Sequence, residues 1–372
     1  MFINTLVINI FLGKRIIISE KEERKKFGIK DIARIANVSI ATVDRVLNNR
    51  KDVSEATRQK IKDIIKEYNY QPNLYARSLS VKNNLSFAVV IPRTSLETGY
   101  WQLCLDGINK GISEFSSFGI FIEVFFFDQE AEQTFHDATE RLLSKKFNAV
   151  IIAPIFIEET KEFVKECKAR NIHTIFINSD IPGHSSMGYI GPDLYSTGKL
   201  AGNLTSYLGK EHSKVLILNV AKGLENYKYL NTKIEGYRDY LNELNRAYQL
   251  EVKDIPFNNY DEIEPELLRL NYELRPDVVF VTNSRVSIVA KFFHEHQEVS
   301  KPHIIGFDFL KSNVDYLSKG CVDFLICQRP DKQGYLALNH LYRYFLLKES
   351  TNEFKSMPID ILTKENYAFY EN

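Results

Sequence analysis

Short apolar runs, spaced by amphipathic stretches, recur from residue 85 onward, and they restrict the fold more than any other feature of the chain. "LSFAVVI", "GIFIEVFFF", "FNAVIIAPI", "NIHTIFIN", "SKVLILNV", "PDVVFVTN", "KPHIIGFD" and "CVDFLICQ" are the clearest of them. Such continuous runs read as strands buried on both faces, as in a parallel sheet. Between them lie helical patterns, among them "WQLCLDGINKGISEF", "TFHDATERLLSKK", "EETKEFVKECKAR" and "DLYSTGKLAGNLTSYLGK". Repeated β-α units predict an α/β body with parallel sheets covered by helices on both faces. Residues 85–372 are too many for one small sheet. Two lobes with a cleft between them is the expected solution, with a ligand at the carboxyl ends of the strands.

The chain ahead of this body differs in kind. Overall the 372 residues carry 48 Lys/Arg and 48 Asp/Glu, yet residues 13–82 hold 17 Lys/Arg against 9 Asp/Glu. A basic head on an acidic body suggests a polyanionic partner for the head alone. Residues 28–71 are helical and densely punctuated. "IKDIARIANVS" places Ile32, Ile35 and Ala36 on one stripe, with Val38 closing the turn. Ser39 can cap the next helix, "IATVDRVLNN", through its hydroxyl. That helix buries Val43, Val46 and Leu47 and exposes Ile40, Ala41, Asp44, Arg45 and Asn48. Ser54 caps a third helix, whose inward face is Thr57, Ile61, Ile64, Ile65 and Tyr68. Three short helices, the first two joined by a tight turn, follow the helix-turn-helix plan. Pro72 then stops the third helix, and residues 72–84 contain a short segment, "NLYARSLS", that Asn73 can cap.

Residues 29–49 and 53–80 together resemble the DNA-binding head of the lactose-repressor/galactose-repressor family of bacterial transcription regulators. The likeness includes the V-S-x-x-T-V core of the turn, "VSEATRQKI" and "PN-x-x-AR-x-L". It implies that Ile40, Ala41, Asp44 and Arg45 reach into the major groove of double-stranded DNA. Arg45 can pair in bidentate fashion with guanine, worth roughly 1–3 kcal/mol of discrimination. Ile40 and Ala41 offer apolar contact, and Thr42 and Asn48 are expected on phosphates. Asp44 departs from the serine common in the family, so the operator sequence is not carried over from better-known relatives. The resemblance also makes "NLYARSLS" a hinge helix, ordered when paired with its twin on DNA. Leu79 is then the minor-groove wedge, with Ala76 and Arg77 along the same groove.

The body resembles the sugar-binding type of periplasmic-binding-protein fold. "TGYWQLCLDGINKG" resembles the family's N-P-F-F…DG element, with Tyr100 and Trp101 at the aromatic positions. "FINSD" brings Asn178, Ser179 and Asp180 to a strand end, and "NTKIEGY" resembles R-x-R-x-x-G-F with Asn231 at the first arginine's place. "VTNS", "GFD" and "CQRP" supply Asn283, Asp308 and Gln328. An aromatic face packs on the C–H side of a sugar while amides and carboxylates take its hydroxyls. Mainly amides and carboxylates at the strand ends favour an uncharged ligand. Arg93, Arg285 and Arg329 lie close enough in sequence to leave an acidic or phosphorylated one open.

No catalytic signature is present: there is no G-x-S-x-G elbow, P-loop, H-E-x-x-H or dinucleotide fingerprint. His294 and His296 in "FHEHQ" point to different faces of a helix, so no metal site and no cofactor are expected. Cys104, Cys167, Cys321 and Cys327 form no C-x-x-C pair and read as reduced core residues of a cytoplasmic protein. "MFINTLVINIFLG" is too short to span a bilayer, and residues 1–27 read as an N-terminal extension. The expectation is a homodimeric, ligand-responsive regulator, most simply a repressor, that reads an inverted-repeat operator and binds a sugar-type effector. The alternatives are a regulator whose cleft is vestigial or serves a protein partner, and a sugar-binding transport protein. Replacing the wedge, Leu79→Ala, is expected to reduce DNA bending and specific affinity together. Unchanged bending in a gel-phasing assay rejects the wedge.

Overall fold

The computed structural model describes residues 28–47, 52–68, 85–94, 99–185, 187–223, 229–244, 246–349 and 355–370. They fall into two compact units, divided between Arg77 and Ser78. Asn48 and the hinge residues Ala76, Arg77 and Leu79 lie outside the described residues.

The head holds α1 (Ile29–Ala36), α2 (Ile40–Leu47) and α3 (Glu55–Glu67). Asn37, at φ 55°, ends α1 in the left-handed conformation that asparagine tolerates. Ser39 Oγ then accepts the Thr42 N–H at 3.1 Å, which starts α2. Ser54 Oγ does the same for Thr57 N–H at 3.4 Å at the start of α3. Ile32, Ala33, Ala36, Val43, Val46, Ile61 and Ile64 close one small core. Two sequence expectations are corrected. Ile35 is 38% exposed and Tyr68 45% exposed. The buried stripe of α1 runs through Ala33 instead, because α2 and α3 both pack on that side. Tyr68 is the C-cap of α3 and has already left the helical face.

Among the described residues the body contains two six-stranded sheets. The first orders its strands β11-β5-β4-β3-β1-β2 and the second β12-β10-β9-β8-β6-β7. In the first sheet these are β1 (Leu85–Pro92), β2 (Ile120–Phe127), β3 (Ala149–Ile152), β4 (His173–Ile177), β5 (Tyr189–Gly191) and β11 (Lys355–Ser356). The second holds β6 (Lys214–Val220), β7 (Gln249–Ile255), β8 (Val278–Val281), β9 (His303–Phe307), β10 (Phe324–Cys327) and β12 (Asp360–Leu362). Every pairing is parallel except β10 with β12. The two-lobed α/β architecture expected from the apolar runs is therefore present. Central strands such as β8 are buried along their whole length, each large side chain contributing about 1.5–3 kcal/mol of hydrophobic stabilisation.

The chain crosses between the lobes three times within the described residues: after β5, after β10 and between β11 and β12. The first two crossings lead into helices, Leu194–Leu208 and Pro330–Tyr342, that pack in the opposite lobe. Each lies at backbone distance from that lobe's own first helix, Tyr229–Glu243 and Tyr100–Phe115 respectively. A Cβ on Gly198 would stand 1.9 Å from Lys233 O, and one on Gly107 would stand 1.8 Å from Asp331 O. Only glycine fits where two helix backbones touch in this way. Gly198→Ala is expected to destabilise the protein by about 1–3 kcal/mol or more through overpacking, seen as a lower urea midpoint. An unchanged midpoint shows that the helices can separate without cost.

Candidate functional site

Two surfaces carry the sequence-derived candidates. On the head, α2 presents Ile40, Ala41, Asp44 and Arg45 outward, with Val43 and Val46 anchoring its other side. Thr42 is half-buried, its hydroxyl 2.9 Å from Ser39 Oγ, so it belongs to the cap as well as the surface. Arg45 Nε lies 3.2 Å from the Asp52 carboxylate, with both side chains about half exposed at 46% and 58%. An exposed pair of this kind is worth at most about 1 kcal/mol. Asp52 was not among the candidates read from the sequence.

In the body, the carboxyl ends of both sheets face one cleft enclosing about 590 Å³ of atom-free space, open solvent included. Six of the nine residues proposed for ligand binding line it: Tyr100, Trp101, Asn178, Asn283, Asp308 and Gln328. The other three do not. Ser179 is buried beside Asn178, Asp180 is half-buried one residue further on, and Asn231 is exposed. Asn231 precedes Lys233 by two positions on a helix, which turns the two side chains to nearly opposite sides. Lys233 is the one that faces the cleft. Gln129, Ile155, Leu194, Tyr229, Ser284 and Arg285 complete the lining. Arg93 and Arg329 are absent from it; Arg329 pairs instead with Asp360 at 2.5 Å.

The first lobe supplies an aromatic wall. Tyr100 and Trp101 open the helix after β1 and meet edge to face, with centroids 5.2 Å apart. Tyr100 donates its hydroxyl to Asn178 Oδ1 at 2.7 Å, and Trp101 donates Nε1–H to Gln129 Oε1 at 3.3 Å. Burial raises the Tyr100 phenol well above its ordinary value, reinforced by the Asp308 charge, so it stays a donor.

The second lobe supplies the charge. Asp308 follows β9 at φ 70°, as Asn178 follows β4 at φ 69°, each turning the chain where its strand ends. Asp308 is buried, and burial raises its carboxyl; Ser284 Oγ donates to it at 2.6 Å and Gln328 Nε2 at 3.0 and 3.2 Å, which pulls the other way. Burial brings the Lys233 ammonium down to about 8, opposed by the Asp308 charge. Lys233 donates to Thr282 O at 3.2 Å and lies 3.8 Å above the Phe307 ring. Arg285 donates through Nη1 to Val220 O at 2.9 Å. Behind this layer Asn313, fully buried, donates to the Ser284, Phe307 and Asp308 carbonyls at 3.0, 2.8 and 3.1 Å. Its Oδ1 accepts Ser287 N–H at 3.1 Å. One side chain thus ties the ends of β8 and β9 together.

Among the described residues no three His, Cys, Asp or Glu side chains converge to hold a metal ion. His296 sits between Glu264 and Glu298, while His294 approaches Cys321. No described helix is long and apolar enough to cross a membrane.

Comparison with known proteins bears on both surfaces. The profile of the lacI family of bacterial regulatory proteins matches residues 28–73, and that of the periplasmic binding protein domain matches residues 87–349. Catabolite control protein A of Staphylococcus aureus is 28% identical over 206 residues, 53% of this chain and 59% of that protein. The chain thus spans little more than half the length of that curated relative. The HTH-type transcriptional regulator RegA of Clostridium acetobutylicum is 51% identical over 67 residues, 18% of this chain and 20% of that protein. Among solved structures, GanP, a glucose-galactose binding protein from Geobacillus stearothermophilus, superposes with a TM-score of 0.67 at 20% identity. It covers 77% of this chain and 99% of its own, a likeness of fold alone.

Asn313→Ala is expected to cost at least about 1–3 kcal/mol for each polar group it leaves unpaired. Ser312→Ala, at its exposed neighbour, is expected to change stability by no more than about 0.5 kcal/mol. Equal unfolding midpoints for the two variants reject the tie between β8 and β9.

Proposed function

We propose that the chain, which belongs to the periplasmic binding protein domain family through residues 87–349 and carries a lacI-family DNA-binding domain at residues 28–73, is a DNA-binding transcriptional repressor controlled by a sugar or sugar derivative. The observation that carries this reading is that one chain holds both an outward polar face on α2 and a cleft lined from two lobes. The regulator acts in the cytoplasm as a homodimer, each head reading half of an inverted repeat in double-stranded DNA. Ile40, Ala41, Asp44 and Arg45 meet base edges, while Thr42 and Asn48 fix the register on phosphates. Ala76, Arg77 and Leu79 lie along the minor groove between the half-sites.

The effector contacts both walls of the cleft at once: Tyr100, Trp101 and Asn178 on one, Asn283, Asp308 and Gln328 on the other. A molecule held between two lobes favours their closed arrangement over an open one, and only that difference in affinity can move an equilibrium. The rim already meets across the gap, where Glu130 accepts from Asn258 Nδ2 and lies 3.7 Å from the Lys222 ammonium. Ser179, Asp180 and Asn231 act on the effector through their neighbours.

Selection from a random duplex pool by the purified chain is expected to return an inverted repeat. With Arg45→Ala, preference at one position of each half-site is expected to relax by about 1–3 kcal/mol. No enrichment of any palindrome overturns the regulator reading. An enriched palindrome that Arg45→Ala reads unchanged removes Arg45 from the groove.

A further inference from the structure

We propose that the effector is a sugar acid, a monosaccharide whose one charged group is a carboxylate, seated against Arg285 and Lys233. This rests on the cleft being the sensor site and adds the charge of what it senses. The sequence favoured a neutral ligand, because the strand ends were rich in amides and carboxylates. The folded cleft has the opposite balance. Among the described residues its charged lining is Lys233 and Arg285 against Asp308 alone. All three side chains are at least nine-tenths buried, with 2%, 4% and 1% of their surface exposed.

The single anion does not neutralise both cations. Asp308 is occupied by Ser284 and Gln328, and no described ion pair joins it to Lys233 or Arg285. Arg285 spends one donor on the Val220 carbonyl, and its Nε–H has no partner among the described residues. Lys233 spends one of three donors on the Thr282 carbonyl. A buried guanidinium nitrogen left without an acceptor is costly unless a ligand supplies one. Arg285 also stands at the N-terminus of the helix Val286–Glu295, where the backbone dipole adds to the attraction for an anion. Among the described lining residues the surplus is one positive charge. A carboxylate matches it, whereas a phosphate monoester carries about −1.5 to −2 near neutral pH. The aromatic wall of Tyr100 and Trp101 and the amides of Asn178, Asn283 and Gln328 remain for the ring and its hydroxyls.

The test uses the full chain and a panel of hexoses and pentoses, each beside its uronic and aldonic acid, with the hexose 6-phosphates as a separate arm. Trp101, the sole tryptophan, lines the cleft and reports binding by its emission, and calorimetry gives the affinity independently. The acid form of one sugar is expected to bind about 10- to 150-fold tighter than its neutral parent, the range for a buried hydrogen bond to a charged group. Arg285→Gln is expected to collapse that preference, and Arg285→Lys, which keeps the charge, to retain part of it. The wild-type comparison decides the matter even if a variant fails to fold. A neutral sugar that binds as well as its acid overturns the proposal and leaves the sensor reading standing. Tightest binding of a 6-phosphate overturns the carboxylate. Silence across the whole panel overturns the sensor reading and the proposal with it.

Discussion

Each wall of the cleft is carried by a pair of helices that touch backbone to backbone. In each lobe a helix that has crossed from the other lobe lies against the lobe's own first helix, with glycine at the contact. The four glycines occupy matching places. Gly107 and Gly236 are each the eighth residue of a first helix, and Gly334 and Gly198 are each the fifth of a crossing helix. A Cβ on any of them would approach a carbonyl oxygen on the facing helix to between 1.8 and 2.6 Å. Contacts of this closeness leave little freedom to slide, since packed backbones cannot adjust as side chains do. They also bear on the cleft, for Tyr100 and Tyr229 begin the two first helices and the carbonyl of Lys233 is the atom that meets Gly198.

On this frame the second lobe buries three charges close to the strand ends. Such groups are tolerated only where their hydrogen bonds are met. Asp308 meets most of its own through Ser284 and Gln328, and its backbone carbonyl is held by Asn313. Lys233 adds the face of Phe307, a favourable partner for a desolvated cation. The first lobe answers with a largely uncharged wall. Cys104 takes the position in its helix that Lys233 takes in the other, and it is buried in the core. One duplicated plan thus yields two chemically unlike walls.

Seven of the eight strands visible in the sequence are buried on both faces, which is why unbroken apolar runs betray them; β2 lies at a sheet edge, is only partly buried and exposes Phe121. β5, β11 and β12 are too short to form a run, and β7 lies at a sheet edge with the mixed sequence "QLEVKDI". The cleft was legible where a polar residue ends a strand, as at Asn178, Asn283, Asp308 and Gln328. It was not legible at Gln129 and Tyr229, and Arg285 stood out only as one of three cations near the strand ends. Lys233 did leave a trace. It stands on the stripe Leu230, Ile234, Tyr237, Leu241, the buried side of its helix, where a lysine has no ordinary reason to be. Asn231 attracted attention through its place in a motif, but helix geometry turns it to solvent.

The contact between Arg45 and Asp52 gives the head an internal competitor for its own guanidinium. On the proposed reading of Arg45, a duplex offering no guanine at the right place leaves the arginine engaged with Asp52. A duplex offering guanine must displace the carboxylate, and two parallel hydrogen bonds suffice to do so. At the modest strength of a half-exposed pair, this tethered rival lowers affinity for a site that must displace it by no more than about fivefold. A sequence that leaves the pair intact loses nothing to it, so the rival narrows the margin by which guanine is preferred.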